Sequence, residues 1–133
     1  FRALIEEDLM HYARIDLCIA GGMTEALKIA RWCETHYINL APHNPLGPVS
    51  GAAGLHLCLA STNVGVLELP RRPGTVLPEA FPSDITWEDG YLLAPTAPGL
   101  GVEINEDAFA EYAPDMQDEA PRLKRADGAF TNW

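Results

Sequence analysis

Positive charge is scarce in this chain. Nine Lys and Arg stand against nineteen Asp and Glu, a formal net charge of −10. Between Pro73 and Pro121 there is no Lys or Arg at all. So acidic a surface does not grip nucleic acid or an anionic membrane through charge, and neither is an expected partner. The cation-free stretch reads as a solvated acidic surface in preference to a cation site. Long apolar runs are missing too. None approaches the roughly 20 residues of a membrane span. Cysteine is limited to Cys18, Cys33 and Cys58, an odd number without C-x-x-C spacing. That excludes a disulfide framework and a zinc knuckle. All three lie among apolar neighbours and are expected to be small buried hydrophobes in a reducing compartment. No internal repeat, low-complexity tract or signal-peptide pattern is present, so the expected location is the cytoplasm. The chain opens Phe1-Arg2-Ala3-Leu4 without a Met, which suggests processing or a piece of something longer.

What remains is an ordinary apolar chain. Of its 133 residues, 47% are hydrophobic, enough for one packed domain and too many for disorder. The character changes at about Pro70. Residues 1–69 are regular and apolar-periodic, and residues 70–133 are rich in Pro, Gly and acid. In the first part, residues 3–11 read as the end of a helix, and 13–17 as a short strand. Gly21-Gly22 interrupts the chain. Thr24 is placed to cap a helix from Glu25 to His36 with Ala26, Ile29, Ala30 and Cys33 on one face. Residues 38–41 form a second strand candidate, stopped by Pro42. The small apolar run 49–60 suits a buried helix, and 64–67 a third strand. This β-α-β-α-β order with short links implies parallel pairing and an α/β architecture. Such a sheet needs cover on both faces, more than these few elements supply. The second part reads differently: a turn and short strand over 87–93, a tight turn and extended piece over 98–104, helical turns from 106 to 112 capped by Asn105, and an extended tail from 123.

Three ionisable residues fall at matching places. Asp16 ends the first strand, His43 follows the second, and Glu68 ends the third. The spacings are 27 and 25 residues, one βα repeat each. In parallel α/β folds the C-terminal strand ends form the active-site face. A carboxylate bonded to one imidazole nitrogen fixes the tautomer and makes the other nitrogen a better base. A second carboxyl that holds a proton can stabilise charge on a substrate oxygen. The trio therefore suits proton abstraction alpha to a carboxylate, a reaction that also calls for an electrophile, usually a metal. Taken singly, each has a plainer reading: Asp16 as a helix cap, His43 as a surface residue, Glu68 as an exposed acid. His11 and His36 read as helix-end residues, and His56 as a partner for nearby backbone or another subunit. Arg71-Arg72 reads as a surface pair, with contact to an anionic substrate as the alternative.

Around these residues the chain resembles a known family. Ile15 to Glu25 (I-D-L-C-I-A-G-G-M-T-E) is similar to the D-x-x-x-A-G-G-[IM]-T-E segment of the mandelate racemase branch of the enolase superfamily. Ala41 to Pro48 (A-P-H-N-P-L-G-P) resembles the A-P-H-[CN]-P-L-G-P segment of its sugar-acid dehydratases, and Pro98 to Ile104 their P-G-L-G-V-E-I stretch. The tail from Ala113 to Trp133 is most similar to D-galactonate dehydratases.

The resemblance implies a modified (β/α)7β TIM-type barrel with a capping domain. This chain would supply strands six to eight (residues 1–69) and the C-terminal segment returning to the cap (residues 70–133). His43 would be the general base, Asp16 its dyad partner and Glu68 the stabiliser of the enediolate. Mg2+ would be the cofactor, with its carboxylate ligands on earlier strands absent from this chain. The substrate would be a sugar acid, D-galactonate favoured, dehydrated to a 2-keto-3-deoxy acid. Mannonate or gluconate dehydratases and racemases are the alternatives within the superfamily, and an inert assembly subunit the alternative outside it. The partners implied are the rest of the same polypeptide and further copies in a homo-oligomer.

Overall fold

A computed structural model describes residues 1–45, 47–110 and 124–129. Its first helix, α1 (Arg2–Glu6), is short. Asp8 takes a left-handed φ of 52° and turns the chain out of the helix. The expected helix to residue 11 therefore stops early, and His11 lies beyond its end. Strand β1 (Tyr12–Ala13) pairs in parallel with β2 (Asn39–Leu40), Tyr12 opposite Asn39 and Ala13 opposite Leu40. The ladder runs past both strands. The N–H groups of Asn39, Ala41 and His43 donate to the carbonyls of His11, Ala13 and Ile15 at 3.2, 3.0 and 3.0 Å.

Between these strands lie α2 (Leu17–Ala20) and α3 (Gly22–Thr35). Gly21, at φ 105°, ends one and starts the other. A Cβ there would sit 3.0 Å from Glu25 Cγ. Thr24 is thus inside α3, not its cap, and the helix begins three residues earlier than Glu25. The glycine pair makes the turn itself because it tolerates positive φ. Ala26, Ala30 and Cys33 form the buried stripe of α3, spaced at helical period against Ile5, Ala13, Ile15, Ile38, Leu40 and Leu57.

Helix α4 (Pro48–Leu59) buries Gly51, Ala52, Gly54, Leu55 and Leu57. Pro48 occupies its first turn, where the missing N–H costs nothing. The third strand is reduced to a single parallel bridge, Leu40 with Val64. Asn63 anchors it, its side-chain amide donating to the carbonyls of Ile38 at 2.8 Å and Ala30 at 3.2 Å. Three neighbouring parallel segments thus follow in chain order, covered on one face by helices.

Beyond Pro70, β3 (Trp87–Glu88) and β4 (Tyr91–Leu92) form an antiparallel hairpin. Asp89 and Gly90, at φ 48° and 87°, make its two-residue turn, the geometry that matches strand twist. Ile85, Leu92 and Val102 pack on Ala52, Leu55 and Leu67, and His56 Nε2 lies 3.2 Å from the Leu100 carbonyl oxygen. Helix α5 (Glu106–Phe109) follows Asn105. The Asn105 side chain bonds the Glu79 carbonyl instead of capping the helix. The tail is not simply extended where described. Arg125 N–H donates to the Ala129 carbonyl and Gly128 N–H to that of Arg125, which folds 125–129 into a turn. The rest of the tail, and the end of the helix expected to 112, lie outside the described residues. No helix among the described residues is long and apolar enough to cross a membrane.

Candidate active site

Side chains alternate along β1 and beyond it. Ala13 and Ile15 enter the helix-covered core, so Tyr12, Arg14 and Asp16 lie on the opposite face. Along β2, Leu40 and Pro42 are buried, which leaves His43 on that same open face. The ladder bond from His43 N–H to the Ile15 carbonyl sets the two strand ends level. Asp16 and His43 then meet: Asp16 Oδ2 lies 2.9 Å from His43 Nδ1.

Asp16 is also the N-cap of α2. Its Oδ1 accepts the Cys18 N–H at 2.8 Å. The reading of Asp16 as a cap is therefore met by one oxygen, while the other is free to bond the imidazole. Burial pushes the Asp16 carboxyl pKa up, but the bonds from His43, Cys18 and Ile19 together outweigh it and hold the pKa below the ordinary aspartate value. An ionised carboxylate only accepts, so His43 Nδ1 carries the proton. In the neutral imidazole this tautomer leaves Nε2 as the acceptor, the nitrogen a base uses.

Glu68 reaches the pair from the third segment. His43 Nε2 and Glu68 Oε2 are 3.8 Å apart, well within one small substrate's reach. Glu68 arrives there through a one-residue shift in the ladder. The Leu40 carbonyl accepts from both Gly65 N–H and Val66 N–H, at 2.8 and 3.3 Å. Glu68 N–H then bonds the Pro42 carbonyl at 3.3 Å, where an unshifted ladder would have placed residue 67. Gly65 has no side chain where Tyr12 crosses it; a Cβ there would stand 2.5 Å from Tyr12 Cε1.

Two further residues hold Glu68, and sequence reasoning did not single out either. Asn44 N–H donates to Oε2 at 3.1 Å, and Arg14 Nη2 at 2.5 Å. Those two bonds, the Asn44 amide first and the Arg14 guanidinium second, lower the Glu68 pKa. Glu68 in this arrangement is a carboxylate, an acceptor. Asn44 is 3% exposed, its side chain bonded to Ser50 Oγ at 2.6 Å. Arg14 was detectable: it lies two residues before Asp16, hence on the same strand face. Arg71 bonds the Pro70 carbonyl and Arg72 stacks on Trp87, its Cζ 3.9 Å from the ring centroid, so neither bonds Glu68.

The cysteines divide. Cys33 is buried and Cys58 half-buried, with burial pushing the Cys58 thiol up to about 11. Cys18, expected inside, is exposed on α2. Its place on the first turn past Asp16 turns it away from the core that Leu17 enters.

Residues 1–108 match the family model described as enolase C-terminal domain-like. The chain belongs to that family. This enolase-superfamily chain is 38% identical over 138 residues to a D-galactonate dehydratase of Verminephrobacter eiseniae, covering 98% of this chain and 34% of that protein. It is also 38% identical over 135 residues to a D-mannonate dehydratase of Caulobacter vibrioides, covering 99% of this chain and 33% of that protein. It thus spans about a third of the length of the curated relatives it matches. An enolase of Pantoea ananatis, crystallised with bound D-gluconate and Mg, superposes with a TM-score of 0.75 at 34% identity, over 84% of this chain and 27% of that one. The fold is of the TIM-barrel type found in the enolase superfamily.

Among the described residues of this enolase-superfamily chain, no three His, Cys, Asp or Glu side chains are grouped to hold a metal ion. The described residues alone therefore do not make up a ligand set for the magnesium ion that the resemblance implies.

Proposed function

We propose that this chain is the C-terminal part of a sugar-acid dehydratase, with residues 1–69 as barrel strands six to eight and 70–133 as the segment packing toward the capping domain. The Asp16–His43 pair carries the reading. His43 Nε2 takes the C2 proton of an aldonate. Asp16 keeps Nδ1 protonated and stabilises the imidazolium that forms. Electrons released at C2 pass into the substrate carboxylate, giving an enediolate. Glu68 stabilises it by donating a hydrogen bond, which needs a proton on a group that begins ionised. An incoming substrate carboxylate beside Glu68 favours uptake of that proton, because like charges resist sharing a site. The C3–O bond then breaks, an acid from outside these 133 residues protonating the departing hydroxyl to water. The enol left behind tautomerises to a 2-keto-3-deoxy acid. Magnesium is proposed for the whole enzyme, with ligands outside these 133 residues.

D-galactonate is the favoured substrate, supported by the Verminephrobacter relative. D-mannonate is the second reading, because its dehydratase is equally identical to this chain. The test is a dehydration screen of the full polypeptide against a sugar-acid library with magnesium. Formation of a 2-keto-3-deoxy product from D-galactonate is expected. Racemisation without loss of water, or no turnover of any acid sugar, would overturn the reading.

A further inference from the structure

Glu68 is addressed entirely through one oxygen. Arg14 Nη2, the Asn44 N–H and, at longer range, His43 Nε2 all point to Oε2. Among the described residues nothing bonds Oε1. The two oxygens of one carboxylate thus have different surroundings, and the one side chain that hydrogen-bonds Oε2 lies two residues from Asp16.

Resting on the dehydratase reading, we infer that Arg14 is the positioning residue of Glu68: its guanidinium fixes Oε2 beside His43 and leaves Oε1 as the oxygen that takes up a proton and meets the substrate. Three observations support this. Strand alternation puts Arg14 and Asp16 on one face, so the residue holding Glu68 and the residue holding His43 share one extended segment. The shifted ladder at Gly65–Val66 brings Glu68, not Leu67, onto that face, while Leu67 packs toward α4. The contact crosses 54 residues of sequence and ties the first strand end to the third. The groups facing Glu68 are Arg14 from the first segment, and His43 and the Asn44 amide from the second, with Asp16 acting through His43. Its own segment adds no charge that bonds it, since Arg71 and Arg72 are engaged elsewhere.

Arg14 gives the site a defined start. Bonded to the Arg14 guanidinium, Glu68 stays ionised and turned to that side until substrate arrives. Because Oε2 is occupied, the proton that Glu68 gains goes to Oε1. Lys in place of Arg would keep the charge but lose the planar guanidinium.

The test uses Arg14→Gln and Arg14→Lys in the full polypeptide, with two readouts. Isotope-edited infrared spectroscopy follows the Glu68 carboxylate band against pH in substrate-free protein, assigned by its loss in Glu68→Gln. Arg14→Gln is expected to move this titration to higher pH, and Arg14→Lys to leave it near wild type. In steady-state kinetics both variants are expected to lose roughly 10- to 100-fold in kcat, with KM within about threefold. Added guanidinium should restore part of the loss in Arg14→Gln. An unmoved titration in Arg14→Gln overturns the proposal, as does wild-type kcat in either variant. Where Arg14→Gln does not fold, the kcat of Arg14→Lys decides. If the wild-type protein dehydrates no sugar acid, the dehydratase reading fails, while the titration still decides the role of Arg14.

Discussion

Asp16 and His43 meet 2.9 Å apart, through an oxygen that the helix cap does not use. Oδ1 serves the backbone of α2 and Oδ2 serves the imidazole. Substitutions should separate the two duties. Asp16→Asn keeps a good cap but loses the charge and unsettles the tautomer. It is expected to melt close to wild type while its turnover falls roughly 10²- to 10⁴-fold. Asp16→Ala loses the cap as well, and about 1 kcal/mol of stability with it. Thermal melts paired with turnover of the full polypeptide check both. A rate unchanged by Asp16→Asn would remove the dyad.

The pH dependence of stability follows from the same bonds. The folded Asp16 pKa is lower than the unfolded one, so the unfolded chain binds the proton more readily. Its contribution is complete above the ordinary aspartate range near pH ~4 and is lost as pH falls through the depressed folded value. Glu68 acts in the same direction, but its side chain is 39% exposed and water screens it. Urea titrations between pH 3 and 6 should show stability falling with acid, and falling less in Asp16→Asn.

Asp16 and His43 could be brought together from spacing alone, because each βα repeat returns the chain to the same end of the sheet. Spacing put Glu68 at that end too, but its side chain joins the pair only through the shifted ladder. Finer features escaped for physical reasons. Gly21 and Gly22 carry their own turn, so α3 needed no Thr24 cap. The left-handed Asp8 ended α1 before His11. The extra residue at Gly65–Val66 left no mark in hydrophobic pattern, yet it brings Glu68 to Arg14. Asn44 acts through its backbone N–H, which any residue but proline would offer.

Two glycines separate backbone strain from crowding. Gly101 has φ 81°, and a Cβ there would stand 2.9 Å from Ile85 Cγ1 and 3.0 Å from Pro95 Cβ. Gly74 has φ 72° and open space around it. Alanine at either position meets a left-handed penalty of about 1–2 kcal/mol. Gly101→Ala should cost about 1–3 kcal/mol more through overpacking. Urea denaturation of both variants measures the difference, and equal losses would contradict the close approach at Gly101.

Thiol reactivity should follow exposure. Cys18 is exposed, while Cys33 and Cys58 are shielded and have raised pKa values. Under native conditions near neutral pH, a disulfide reagent should modify Cys18 first. Peptide mapping after a short exposure identifies the site. Faster modification of Cys58 would contradict the packing of α4.

Removal of the C2 proton by His43 is open to measurement by isotope exchange. The full polypeptide is incubated in D2O with magnesium and D-galactonate, and deuterium at C2 of recovered substrate is followed together with product. The wild type should dehydrate the substrate and wash deuterium into C2 or into product, and His43→Asn should do neither while remaining folded. C2 exchange retained by His43→Asn would contradict the account.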